Sequence, residues 1–221
     1  MNPMPDPQGA RPADARGPGE GAGIFQGKLA EVAVVFLTVF QHEGVRLSGG
    51  NAEPFYRASG MGGKAEIAFT QDYLNSCLHE IAHWCIAGKD RRHKDDYGYW
   101  YRPDGRNAGE QREFFRAEAA PQALERTFAM ACGEAFRMSC DNLAGEVSGE
   151  AEFAAALDAK LRGYLADGFP RRAWAFVNGL MLRFHPGIPA DDRRSWLASR
   201  AGISGPAETK GPAGTKGPGS G

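Results

Sequence analysis

The sequence predicts a single helix-dominant α+β domain, with a small sheet packed near the helix that carries an H-E-x-x-H pattern. Apolar residues recur at helical spacing through most of residues 24–202. Short alternating stretches punctuated by glycine are confined to Val45–Phe69. The pattern itself, His79-Glu80-Ile81-Ala82-His83, falls inside one of the helical stretches.

Size and composition bound the rest. A chain of 221 residues, 42% hydrophobic, suits one domain with a substantial core. With 26 Lys and Arg against 27 Asp and Glu, the formal charge is −1, so no global field points to nucleic acid or a membrane surface. The longest apolar stretch, Val32–Leu37 resuming at Val39-Phe40, is far shorter than the roughly 20 residues of a membrane helix. Met1–Asp6 lacks the basic start and apolar run of a secretory signal, so the expectation is a cytoplasmic protein. Residues 1–23 and 203–221 are rich in Pro, Gly and small residues, the second with Thr-Lys-Gly-Pro twice; both are expected to be disordered tails around a domain spanning 24–202. Cys77, Cys85, Cys132 and Cys140 form no C-x-x-C pair and lie among apolar residues, as buried reduced thiols do.

Taken in order, Leu29, Val32, Val35, Phe36, Val39 and Phe40 predict a helix over Lys28–Gln41, with Gly44 beyond its end. Gly49-Gly50-Asn51 and Gly60-Met61-Gly62-Gly63 break the next segment into short strands, of which Ala65–Phe69 alternates most clearly. Thr70 is placed to cap a helix running to about Ala87 and closed by a left-handed Gly88. Its apolar stripe is Leu74, Cys77, Leu78, Ile81, Cys85 and Ile86, with His79 and His83 on an adjoining face. Asp96–Tyr101 reads as extended and aromatic, ending in a Pro103-Asp104-Gly105 turn. Pro121 suits the first turn of a further helix that carries Leu124, Phe128, Ala131, Cys132, Ala135 and Phe136 to a break at Asp141-Asn142, leaving Glu118 just before it. Three more helices are expected over Glu150–Leu165, Pro170–Arg183 and Asp191–Ser199.

On a helix, residues four apart lie one turn apart on one face, so His79 and His83 can converge on a single cation, a zincin-like local arrangement. Glu80 is then placed as a general base or proton shuttle. A third protein ligand is needed, and Glu118 and Glu125, seven residues apart, are the candidates. Glu118 is preferred, since the mouth of a helix beginning at Pro121 is easily aimed at the histidine face. His42, His93 and His185 are weaker candidates, each standing alone. Two histidines and a carboxylate serve zinc hydrolases and non-haem iron(II) oxygenases alike. Spacing alone favours a zinc metallopeptidase.

Longer motifs reverse that preference. Leu78-His79-Glu80-Ile81-Ala82-His83-Trp84-Cys85-Ile86-Ala87-Gly88, Arg91-Arg92, and the run from Asp96 to Arg106 resemble the elongation factor P hydroxylase family. So do Pro121–Glu125, Ser139–Leu143, Glu53–Tyr56 and Phe169–Ala173, so the resemblance spans the core and excludes both tails. It implies a bacterial cytoplasmic enzyme that hydroxylates the modified (lysylated) lysine of elongation factor P. It also implies a metal held by His79, His83 and a downstream glutamate, with Glu118 preferred, and Glu80 handling protons. The cofactor would be iron(II), with zinc(II) as the alternative, and dioxygen the co-substrate. No glycine-rich nucleotide loop or flavin signature is evident, and direct nucleic-acid and membrane partners are not expected.

Two neighbouring groups are candidates for substrate contact. Tyr97, Tyr99, Trp100 and Tyr101 could line a slot for a long aliphatic ammonium chain, or alternate between core and surface on a strand. Lys89, Arg91, Arg92 and Lys94 are a solvated loop or a docking patch for an acidic partner such as elongation factor P, extended by Arg102 and Arg106.

Overall fold

The computed structural model describes residues 25–60, 63–98, 106–140 and 149–203, and helices dominate it around one small sheet. Nearly all of both expected tails lies outside the described residues. Helix α1 (Gly27–Val39) leads into strands β1 (Val45–Asn51), β2 (Phe55–Arg57) and β3 (Ala65–Thr70). Helices α2 (Leu74–Ile86), α3 (Ala108–Cys132), α4 (Glu150–Asp167), α5 (Arg171–Phe184) and α6 (Arg193–Arg200) follow. None of the described helices is long and apolar enough to cross a membrane.

The sheet order is β1-β3-β2, with β3 parallel to β1 and antiparallel to β2. Ile67 and Phe69 on one face of the central strand are fully buried and Ala68 on the other is 6% exposed, as a strand covered on both sides requires. The register of β1 on β3 slips between Ser48 and Asn51, where Gly50 has φ +74°. At Gly49 a Cβ would fall 2.3 Å from Asp72 Oδ1 and 3.1 Å from the Gln71 carbonyl, so the chain passes only without a side chain there.

The core lies where α1, α2, α3 and α5 meet. Phe36, Phe40, Trp84, Phe128 and Phe176 are buried there, with edge-to-face contacts such as Phe40 on Trp84 at 4.8 Å and Phe128 on Phe176 at 4.9 Å between ring centroids. Cys77, Cys85 and Cys132 are buried free thiols, and burial pushes Cys132 up to about 11.

Three expectations about these elements differ from the structure. Thr70 closes β3 instead of capping α2, its N–H donating to Ser76 Oγ at 3.0 Å. The chain turns through Gln71 at φ +45° before α2 begins at Leu74. Gly88 is not left-handed; α2 ends at Ala87, which swings extended at φ −59°, ψ 125°. The Ala87 carbonyl accepts from the guanidinium groups of Arg92 and Arg172, which satisfy it without a glycine turn. Asp95–Gly98 is a 3₁₀ turn, against the extended reading of Asp96–Tyr101, the rest of which lies outside the described residues, as does the Pro103-Asp104-Gly105 turn; Asp96 Oδ1 accepts from Tyr56 N–H at 3.0 Å and Asp95 Oδ1 from Ala58 N–H at 2.9 Å. Those carboxylates occupy the outer edge of β2.

The largest difference concerns α3. It begins at Ala108, with Pro121 in its interior. Asn107 Oδ1 accepts from the N–H groups of Gly109 and Glu110, and Glu110 accepts from Asn107 N–H, a complete capping box. It ends at Gly133, left-handed at φ +69°, so Ala135 and Phe136 lie beyond the helix. Glu118 is therefore mid-helix, two turns before Glu125 on the same face.

Candidate metal centre

Helix α2 is pinned by Cys77, Leu78, Ile81, Trp84 and Cys85, all at most 3% exposed. That stripe fixes the helix's rotation, and His79 and His83 emerge beside it with side chains 23% and 15% exposed. Their ring centroids are 4.7 Å apart and their Nε2 atoms 3.0 Å apart. Helix α3 crosses here and delivers Glu118, whose Oε2 lies 3.5 Å from His79 Nε2 and Oε1 3.3 Å from His83 Nε2. All three ligand atoms lie within 4.8 Å of one another, the spacing of a metal-binding triad. Glu118 Oε2 is buried and has no hydrogen-bond partner among the described residues. A buried carboxylate whose two oxygens face the two imidazole nitrogens, one of those oxygens unbonded, fits a divalent cation with nitrogen and oxygen preferences.

Glu125 does not join this cluster of atoms. Its Oε2 lies 2.9 Å from His79 Nδ1, on the other edge of the ring. Of the two glutamates, Glu118 is thus the one whose oxygens lie with the histidine Nε2 atoms, although the helix-mouth reason for preferring it does not hold, since Glu118 sits mid-helix.

The cluster stabilises charge on its members. Burial works against a charged His79, but the hydrogen bond to Glu125 and the carboxylates of Glu118, Glu125 and Glu80 outweigh it and raise its pKa to about 10. Burial alone would raise Glu118; the two histidines and a hydrogen bond from Gln122 lower it to about 2. Burial pushes the Glu80 carboxyl above the ordinary carboxylate range, against the opposing pull of His79 and His83. A half-buried carboxyl that favours its proton, one residue from a ligand, is placed to donate or accept one there.

A cleft of about 440 Å³ opens beside the triad, walled by His83, Ile86, Arg91, Tyr97, Ala117 and Pro121. Tyr97 is only 6% exposed; it stacks on Tyr56 at 4.2 Å and lies parallel to the His83 ring at 6.4 Å. It is therefore both a core residue and a cleft wall. Asp96 and Tyr97 are both left-handed, at φ +45° and +57°, a strained pair held by the Asp95 and Asp96 contacts to β2. Tyr99, Trp100, Tyr101 and Arg102 lie outside the described residues.

The basic residues divide. Arg91 is exposed at the rim, with Nη1 donating to the Tyr97 carbonyl at 3.3 Å. Arg92 is half-buried and donates to the Ala87 carbonyl at 2.8 Å, while its own carbonyl accepts from Tyr56 Oη. Arg106 is not part of a surface patch. It is 8% exposed, its guanidinium lies 3.8 Å over the Phe114 ring, and Nε donates to Gln111. His42 and His93 are exposed and His185 packs on Trp196, all apart from the triad. Sequence reasoning missed Arg172, which lies over Trp84 at 4.9 Å, and the partnership of Glu125 with His79. The only sequence signal for the latter was the seven-residue spacing from Glu118.

Comparison with known proteins identifies the setting of this triad. The sequence profile of the elongation factor P hydroxylase family matches residues 35–192, which include His79, Glu80, His83, Glu118 and Glu125. A protein from Haemophilus influenzae named elongation factor P lysine hydroxylase is 40% identical over 148 residues, covering 66% of this chain and 83% of that protein. A match of that extent, with the two histidines and the buried carboxylate inside it, means that the chain belongs to the elongation factor P hydroxylase family.

Proposed function

We propose that this chain is a non-haem iron(II) protein hydroxylase acting in the cytoplasm on the modified (lysylated) lysine of elongation factor P. The observation that carries the reading is the convergence of His79, His83 and Glu118 in a member of a hydroxylase family. That chemistry needs a redox-active metal with open positions, because hydrolytic chemistry does not convert a C–H bond to C–OH. Iron(II), when bound, supplies activation of dioxygen. One oxygen atom enters the C–H bond and the other leaves as water, with two electrons and two protons from an external reductant.

The chain's own residues supply the rest. His79, His83 and Glu118 hold the cation from one side, leaving the side toward the cleft for substrate. Tyr97 and the apolar residues Ile86, Ala117 and Pro121 accommodate the aliphatic chain of the modified lysine, and Tyr99, outside the described residues, is a further contact for it on the sequence alone. Glu80 holds and releases a proton beside the triad. Arg91 and Arg92 dock the acidic partner protein, Arg91 from the exposed rim. This machinery belongs to one domain over residues 24–202, with flanking tails outside it and no nucleic-acid or membrane partner.

The test is the intact mass of lysylated elongation factor P after aerobic incubation with the protein, iron(II) and a reductant, with His79→Ala as control. A gain of one oxygen atom in the wild-type reaction alone is the expected result. No mass change across several reductants, together with zinc-dependent peptide cleavage that disappears in Glu80→Gln, would replace this reading by the zinc metallopeptidase that the H-E-x-x-H spacing also permits.

A further inference from the structure

We infer that Glu125 is the positioning residue of the metal centre: it holds the proton of His79 on Nδ1 and so commits Nε2 to the cation. The inference rests on reading His79, His83 and Glu118 as ligands, and it does not depend on which metal or substrate they serve.

An imidazole can carry its single proton on either nitrogen, and only the bare nitrogen can bind a metal. His79 has its two nitrogens in opposite settings. Nδ1 lies 2.9 Å from Glu125 Oε2, while Nε2 lies 3.0 Å from His83 Nε2 and 3.5 Å from Glu118 Oε2. An ionised carboxylate only accepts hydrogen bonds, so the short contact at Nδ1 requires a proton there. With that proton held, Nε2 is the one nitrogen of the ring that can give up its proton and offer a lone pair to a cation. The carboxylate also strengthens Nε2 as a ligand, because an imidazole that donates to an anion is more basic at its other nitrogen.

The contact is built into the fold. Glu125 is 8% exposed at its side chain and sits on α3 two turns beyond Glu118, so one rigid helix supplies both carboxylates. A carboxylate so buried is in place only if a partner compensates it, and His79 is its hydrogen-bond partner. His83 has no such carboxylate at its Nδ1 among the described contacts. Loss of Glu125 therefore acts on one ligand alone, and the ring of His79 becomes free to rotate or to carry its proton on the metal-facing nitrogen.

Zinc(II) serves as a diamagnetic probe for the test, which needs no turnover. In the zinc-loaded wild-type protein, proton and nitrogen NMR should show His79 with a downfield, slowly exchanging Nδ1 proton. Glu125→Ala should lose that protected proton and bind zinc about 10- to 100-fold more weakly. Glu125→Gln keeps an acceptor oxygen of the same reach and should fall between the two, which separates positioning from bulk. Comparable thermal unfolding of the metal-free variants would show that the fold is retained. The inference is overturned if Glu125→Ala binds zinc within threefold of wild type, or if wild-type His79 carries no proton on Nδ1, which would make that nitrogen the ligand. Neither result bears on hydroxylase activity, and failure of the hydroxylase assay leaves this measurement untouched.

Discussion

Metal uptake by this protein should be steeply pH-dependent, because a cation at the triad must displace the proton from His79 Nε2. The His79 pKa of about 10 in the metal-free protein means that at neutral pH almost every molecule carries that proton. At pH 7 the ring is about three units below its pKa, so the apparent affinity lies about a thousandfold under its limit. It should rise about tenfold per pH unit from pH 7 to 9. Glu118, at about 2, is ionised throughout and adds no slope there. The assay is competition for zinc(II) against a chromophoric chelator of known pH dependence, with proton release measured in weakly buffered solution. A change smaller than about threefold per pH unit over that range would refute the charged His79 that the surrounding carboxylates imply. Stability of the metal-free protein should move in the opposite sense. His79 is raised above its unfolded value of 6.5, so its contribution is complete below that pH and is lost as pH climbs through about 10. Glu118 is lowered below 4.5, so its contribution is present above that pH and disappears as pH falls through about 2.

Glu80→Gln should retain metal and fold but lower turnover by about 10²- to 10⁴-fold, read as rate against metal content. Asn107→Ala removes the capping box that starts α3 and should cost about 1 kcal/mol by urea unfolding, with metal affinity unchanged because Glu118 lies about three turns further on. Gly179→Ala sets two effects against each other. Alanine favours the α5 helix by about 1 kcal/mol, yet its Cβ would sit 2.8 Å from both Val35 Cγ1 and Val39 Cγ2. Forcing α1 from α5 costs about 1–3 kcal/mol, so a net loss of about 1 kcal/mol is expected in the same unfolding measurement.

Much of the fold and part of the site were legible because their signals are local. The apolar stripe of α2 predicts its rotation, and two histidines four apart share a face of any helix. Helix α3 was readable in principle from Asn107 and Glu110, but Pro121 suggested a start thirteen residues late. Proline at a helix beginning and proline tolerated inside a long, well-packed helix look the same in sequence. The turn at Asp95–Gly98 was not legible, since Asp95 and Asp96 bind amides of β2 that are distant in the chain. Arg106 likewise looked like surface charge until Phe114 and Gln111 were seen to enclose it.

By itself, then, the sequence determined that a helix would present His79 and His83 together with Glu80 beside them, and its longer motifs pointed to the family. Only the tertiary structure separated the positions of the two glutamates. Glu118 and Glu125 lie on the same face of α3, and helical periodicity treats them alike. The crossing of α3 over α2 places one against Nε2 and the other against Nδ1 of the same ring. That crossing is set by the packing of whole helices around the aromatic core, which no local pattern encodes.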